Sequence, residues 1–173
     1  MRLRFYPYTL ELKHAFTLAA SSRTTTPAMM VEVEADGIVG YGEASMPPYL
    51  GESQESAAAL LRQVNLGGFS DPFHLEEILP AIDAIAPGNT AAKAAVDIAL
   101  HDWIGRKLGA PWYRIWGLDP AKAPVTSFTI GIDTADIVRQ KTREAGAYRI
   151  IKVKHGRDTD RMMLDAIRDV TDK

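Results

Sequence analysis

The sequence predicts a chain of two architectures: an α+β segment of antiparallel strands followed by helices, then strand–helix units whose strands run parallel. Three observations predict it. Residues 29–35, Met-Met-Val-Glu-Val-Glu-Ala, alternate apolar and acidic side chains, and Asp36-Gly37 behind them is a hairpin turn signal. Residues 89–108 carry Ala92, Ala95, Val96, Ala99, Leu100 and Trp103 at helical spacing. From residue 125 the register becomes strand, helix, strand, helix, which implies a parallel sheet with crossover helices, as in barrels or doubly wound sheets.

Taken in order, residues 2–12 read as extended, rich in Leu, Phe and Tyr with polar positions between them. The stretch 19–26, Ala-Ala-Ser-Ser-Arg-Thr-Thr-Thr, is dense in Ser and Thr without apolar periodicity and reads as a mobile loop ending at Pro27. The strand 29–35 turns at Asp36-Gly37 and returns as 38–44. Residues 53–61 read as a helix that Ser53 can cap, and 73–86 as a second that Pro80 kinks or restarts. In the long helix 89–108, Asn89 or Thr90 can cap the start and Gly109 can end it; its alanines permit close packing. The boundary between the two architectures is expected near Gly117-Leu-Asp-Pro120. Beyond it follow a strand over 125–131, a helix over 134–145, a strand over 148–154 whose Tyr148, Ile150, Ile151 and Val153 suggest that it is buried, and a helix over 158–170. The last carries Met162, Met163, Ala166, Ile167 and Val170 along one face. Two such units are too few to close a barrel or to shield both faces of a sheet.

Composition excludes several function classes. The 173 residues are 46% hydrophobic and 24% charged, with a net charge of −2 and dispersed basic residues. That balance suggests neither a nucleic-acid groove nor a basic membrane patch. Without cysteine there is no disulfide framework and no thiolate metal site. The N-terminus lacks an apolar signal core and no run is long enough to span a bilayer, so a cytoplasmic location is the expectation.

The chemistry-bearing feature is Lys152-Val153-Lys154. On a strand, residues two apart share a face, so the two amino groups stand side by side. Two ammonium groups that close repel, and one of them can lose its proton near neutral pH. That makes a candidate base for a weakly acidic C–H bond. Asp97 and His101, four apart on the long helix, have a spacing that suits either a metal or a helix-surface ion pair or hydrogen bond, and the surface pairing is the simpler reading. Glu43 and Glu52 suit either an active-site mouth or turn and cap roles. Trp103, Trp112 and Trp116 read as core and domain-junction packing.

Several segments in this order resemble the enolase superfamily, and within it the muconate-lactonizing-type subgroup that contains the dipeptide epimerases. Gly40-Tyr-Gly-Glu-Ala44 with Pro47-Pro48 and Gly51-Glu52-Ser53 resembles the end of the family's capping-domain sheet. Residues 91–103 continuing into 109–117 are similar to its signature helix and turn. Thr126-Ser-Phe-Thr-Ile-Gly-Ile-Asp133 resembles the first barrel strand, and Lys152-Val-Lys154 with Gly156 the second. The resemblance implies an α+β capping domain, residues 1–117, followed over 118–173 by the first βα units of a (β/α)8-type, TIM-like barrel that is incomplete in this chain.

It also implies 1,1-proton transfer in a small dipeptide of the L-Ala-D/L-Glu type from cell-wall peptide. Lys154 would be the catalytic acid/base and Lys152 the cationic neighbour beside the carboxylate. Arg23 would grip the distal carboxylate, and Thr129 would touch the substrate. The family's cofactor is Mg²⁺, which stabilises an enediolate. Its acidic ligands come from later barrel strands, so no metal ligand is expected in this chain. These residues are then expected to form the N-terminal half of an epimerase, inactive alone, since barrels of this kind need about 250 residues. Other subgroup members, such as o-succinylbenzoate synthase, N-acylamino acid racemase and muconate cycloisomerase, remain alternatives. So does a non-enzymatic homo-oligomer formed through an unpaired strand edge.

Overall fold

Hydrophobic alternation builds a three-stranded sheet from β1 (Arg2–Thr17), β2 (Ser22–Ala35) and β3 (Ile38–Ser45), in spatial order β1-β2-β3. The computed structural model describes residues 1–156 and 158–173, the side chain of Pro48 excepted. β2 and β3 pair antiparallel with Ala35 opposite Ile38, so the loop is the two residues Asp36 and Gly37, both at positive φ (51° and 73°). That is the backbone a tight hairpin requires. The apolar half of the alternation, Met29, Val31 and Val33, is buried. The acidic half points away, where Glu32 accepts a 3.0 Å hydrogen bond from Arg4.

The polar stretch expected to be a loop is mostly strand. Only residues 18–21 turn, closed by the Leu18 amide on the Ser21 carbonyl at 2.8 Å, and β2 starts at Ser22. The β-branched Thr24, Thr25 and Thr26 suit an extended ladder, and pairing with β1 outweighs their lack of apolar periodicity.

Two compact units result: residues 1–10 with 26–120, and residues 11–25 with 121–173. In the first, α1 (Gln54–Leu61) starts at Ser53, whose hydroxyl accepts from the Ser56 amide in a capping box. α2 (Leu75–Asp83) runs through Pro80 rather than restarting there. α3 (Thr90–Leu108) lies against β3 through a row of small residues. The approach is so close that a Cβ on Gly40 would stand 2.1 Å from the Ala99 carbonyl oxygen, and one on Gly42 1.9 Å from that of Ala95. Asn89 sits at the start of α3 in a left-handed conformation and makes no side-chain cap. The cap comes from Glu52, whose carboxylate accepts from the amides of Thr90 (2.7 Å) and Ala91 (2.9 Å) and from the Thr90 hydroxyl. Asp97 and His101 meet on the helix as expected, with His101 Nδ1 2.7 Å from Asp97 Oδ1 and 3.0 Å from the Asp97 carbonyl oxygen. Trp103 is core, Trp112 donates to the His101 carbonyl, and Trp116 in the turn after α4 (Trp112–Ile115) packs one face on the Trp112 ring, 5.1 Å between centroids, and is otherwise 63% exposed.

In the second unit β4 (Ser127–Ile130) and β5 (Ile150–Val153) pair in parallel. α5 (Ala135–Glu144) crosses between them and α6 (Asp160–Arg168) follows. Ile130, Val138, Met163, Ala166 and Ile167 form its core, with Phe128, Ile151 and Val153 packed against it. Tyr148 and Ile150, expected to lie in a buried strand, are exposed. Among the described residues no helix is long and apolar enough to cross a membrane.

Candidate active site

The parallel register of β4 and β5 decides which side chains converge. Phe128, Ile130, Ile151 and Val153 face the helices, so the alternate residues Thr129, Lys152 and Lys154 share the opposite face. Thr129 lies directly across from Lys152. Lys154 sits just past the end of β5, and its amide continues the ladder to the Ile130 carbonyl at 3.0 Å. The two lysines and the threonine therefore stand at the C-terminal end of a parallel pair, on the side the helices leave open. Lys154 and Thr129 are half-buried and Lys152 is exposed.

The hairpin between β1 and β2 reaches this strand end. Gly156, two residues beyond Lys154, has φ 122°, and a Cβ there would meet the Cβ of Ala19 at 2.8 Å. Only glycine combines that conformation with that approach. The turn 18–21 thus lies against the loop that follows Lys154. His155 is exposed, with Nδ1 3.5 Å from Asp160, and takes no part in the shared face.

Arg23 follows the turn. Its guanidinium lies over the Phe16 ring, 5.7 Å from the centroid. A cleft of about 510 Å³ brings Arg23 together with Thr129, walled by Phe16, Phe128, Gly131 and Tyr148. Lys152 and Lys154 do not line it. A cleft of about 650 Å³ in the first unit, walled by Glu34, Asp36, Phe73, Trp103 and Lys107, contains none of the expected residues. Its charges already pair, Lys107 with Asp36 at 2.8 Å and Arg2 with Glu34.

Charge sorts the second unit's cations. Lys13 and His14 both reach Glu144, at 3.0 and 2.7 Å, and Lys141 reaches Asp133 at 2.9 Å. The bonds from His14, Lys13 and Gln140 hold the Glu144 carboxyl down to about 2. Arg23, Lys152 and Lys154 have no acidic partner among the described residues. A ligand with separated carboxylates would find unneutralised cations at both places. No group of three or more His, Asp or Glu that could hold a metal occurs among the described residues.

Sequence reading missed two groups around this site. Lys141 lies in the apolar stripe of α5 with Val138, Thr142 and Ala145, and a lysine at such a position was the available signal. No sequence signal marks the contact of Ala19 with Gly156.

The family model for the mandelate racemase / muconate lactonizing enzyme N-terminal domain matches residues 5–117. An L-Ala-D/L-Glu epimerase of Bacteroides thetaiotaomicron is 61% identical over 173 residues, covering 99% of this chain and 45% of that protein. The dipeptide epimerase of Enterococcus faecalis, solved with Mg and L-Leu-L-Tyr, superposes with a TM-score of 0.85 at 29% identity. That match covers 98% of this chain and 49% of the other. The substrate-liganded L-Ala-D/L-Glu epimerase of Bacillus subtilis gives 0.82 at 25% identity, over 98% and 49%. The chain spans about half the length of the relatives it matches.

Proposed function

From the premise that this chain belongs to the mandelate racemase / muconate lactonizing enzyme family, we propose that it serves a dipeptide epimerase acting on substrates of the L-Ala-D/L-Glu kind. β4, α5, β5 and α6 are read as the first two units of a (β/α)8 barrel, and the parallel register supports that reading. The observation that carries the functional proposal is where the unneutralised cations Lys152, Lys154 and Arg23 stand. Lys152 and Lys154 share a face with Thr129 at a strand end, and Arg23 stands beyond the turn that presses on Gly156.

In this reading the amino group of Lys154 takes the proton from the α-carbon of the C-terminal residue. The C–H bond breaks, its electrons move toward the adjacent carboxylate, and the proton resides on Nζ. Lys152, two residues away on the same face, offsets the charge that accumulates there. That stabilisation is greatest where charge develops. Thr129 contacts the substrate from across the ladder, and Arg23 holds the distal carboxylate in a planar, two-point grip. Relatives were solved with Mg, but the donors for such an ion are not assembled among the described residues, so the roles given are those of this chain's own side chains.

The test is exchange of the α-proton of L-Ala-L-Glu in D₂O with Mg²⁺ present, using the full-length protein. Wild type should incorporate deuterium, K154M should lose at least about a thousandfold in rate, and R23M should lose affinity only for dipeptides with an acidic C-terminal residue. Equal loss across all dipeptides in R23M would remove the assignment of Arg23. No exchange in wild type would remove the epimerase reading.

A further inference from the structure

Among the described residues Lys141 is the one buried charged side chain, 4% exposed. Its amino group donates to Asp133 Oδ2 at 2.9 Å and to the Ala15 carbonyl at 3.2 Å. Asp133 lies in the turn between β4 and α5, and Ala15 lies near the end of β1. One residue ties the first barrel-type unit to the hairpin that carries Arg23.

The tie is one of several along the same short stretch. The Ile132 amide donates to the Thr17 carbonyl at 3.0 Å, and Glu144, three residues after Lys141, holds Lys13 and His14. From residue 17 the path to Arg23 is brief. The Thr17 and Ser22 hydroxyls are hydrogen-bonded at 2.8 Å, and Arg23 stacks on Phe16. Lys13 and His14 are at least partly accessible, whereas Lys141 is buried where an apolar side chain would pack without the cost of desolvating a charge. A buried donor with two defined acceptors fixes position in a way a methyl group does not.

We propose that Lys141 is a positioning residue. It fixes residues 13–17 against β4 and so holds the Arg23 guanidinium at the place where the distal carboxylate of a dipeptide arrives. The proposal rests on the epimerase reading for its purpose, and on the Lys141 contacts alone for its mechanics.

Two measurements separate these parts. The first is hydrogen exchange of the amides of residues 13–23 in the full-length protein and in K141M. Exchange about tenfold faster in K141M is expected; unchanged exchange would overturn the proposal whatever the enzyme does. The second is a double-mutant cycle on L-Ala-L-Glu epimerisation. K141M should raise KM about tenfold, the equivalent of one charge-assisted hydrogen bond, with kcat within about twofold. In the R23M background K141M should add nothing, and K141R should recover most of the loss.

A purely structural Lys141 would instead give equal losses in both backgrounds, which would reject the positioning role while leaving the epimerase reading intact. A wild type inert toward L-Ala-L-Glu would reject the epimerase reading and with it the role of Arg23, and hydrogen exchange would still decide whether Lys141 holds the hairpin. If K141M does not fold, D133N keeps the side-chain volumes, and the same non-additive pattern with a smaller amplitude is expected.

Discussion

Replacing Gly42 by alanine tests the tightest of the glycine approaches among the described residues. The added Cβ would stand 1.9 Å from the Ala95 carbonyl oxygen and 2.9 Å from both the Ala95 carbonyl carbon and the Ala99 amide nitrogen. Ordinary contact begins near 3.4 Å, so α3 must retreat from β3 by about 1.5 Å, the difference between 3.4 and 1.9. All three clashing atoms are backbone, so no rotamer change relieves them. Over-packing typically costs 1–3 kcal/mol, and a clash relieved only by moving a helix falls at the top of that range. A loss of about 3 kcal/mol, set against a total stability of roughly 5–15 kcal/mol, should lower the urea midpoint by about 1–3 M. Trp103, Trp112 and Trp116 all belong to the first unit, so tryptophan fluorescence during urea unfolding reads this unit alone. Gly68 is the control: nothing lies within 4 Å of its Cβ position and its φ is not in the left-handed range, so G68A should leave the midpoint nearly unchanged. A G42A midpoint within about 0.3 M of wild type would refute the argument that backbone proximity, rather than chance, places glycine there.

Two further outcomes are expected. Glu144 has a carboxyl held down to about 2, below its value in an unfolded chain. It therefore stabilises the fold above the unfolded value of 4.5, and that contribution is lost as pH falls through about 2. E144Q should lower the unfolding midpoint of the second unit at neutral pH, and the gap to wild type should close between pH 4.5 and 2; a gap independent of pH would refute this. Glu52 supplies the cap that Asn89 does not, so E52A should cost ~1–2 kcal/mol, with faster hydrogen exchange in the first turn of α3.

Much of this architecture was legible because local chemistry and tertiary packing agree. The alternation over 29–35 gave β2 its buried Val31 and Val33, and Asp36-Gly37 gave the turn. The small-residue stripe of 92–103 gave the helix and its close packing. Lys152 and Lys154 share a face because a strand has a period of two, and that needed no structure. What escaped is set by residues far apart in sequence. Glu52 caps a helix that begins at Thr90, and Thr24 to Thr26 become strand because β1 is there to pair with. Lys141 is buried because Asp133 and the Ala15 carbonyl satisfy it. The proximity of the Arg23 turn to the end of β5 likewise depends on Ala19 meeting Gly156, and neither residue carries a mark of it in the sequence.

The interleaving of the two units has a consequence for synthesis on the ribosome. Residues 11–25 emerge early, yet the partners they pack with begin only at residue 121. Translation of residues 26–120 at 5–20 residues per second takes roughly 5–20 s. Throughout that interval the outer end of the β1–β2 hairpin has no completed unit to join, while its inner end has β3 and α3. The first unit can condense early, leaving an extended, threonine-rich tip whose backbone edges are open to a passing chain. The charged side chains Glu11, Lys13 and Arg23 on that tip are the kind that discourage edge-to-edge pairing while it waits.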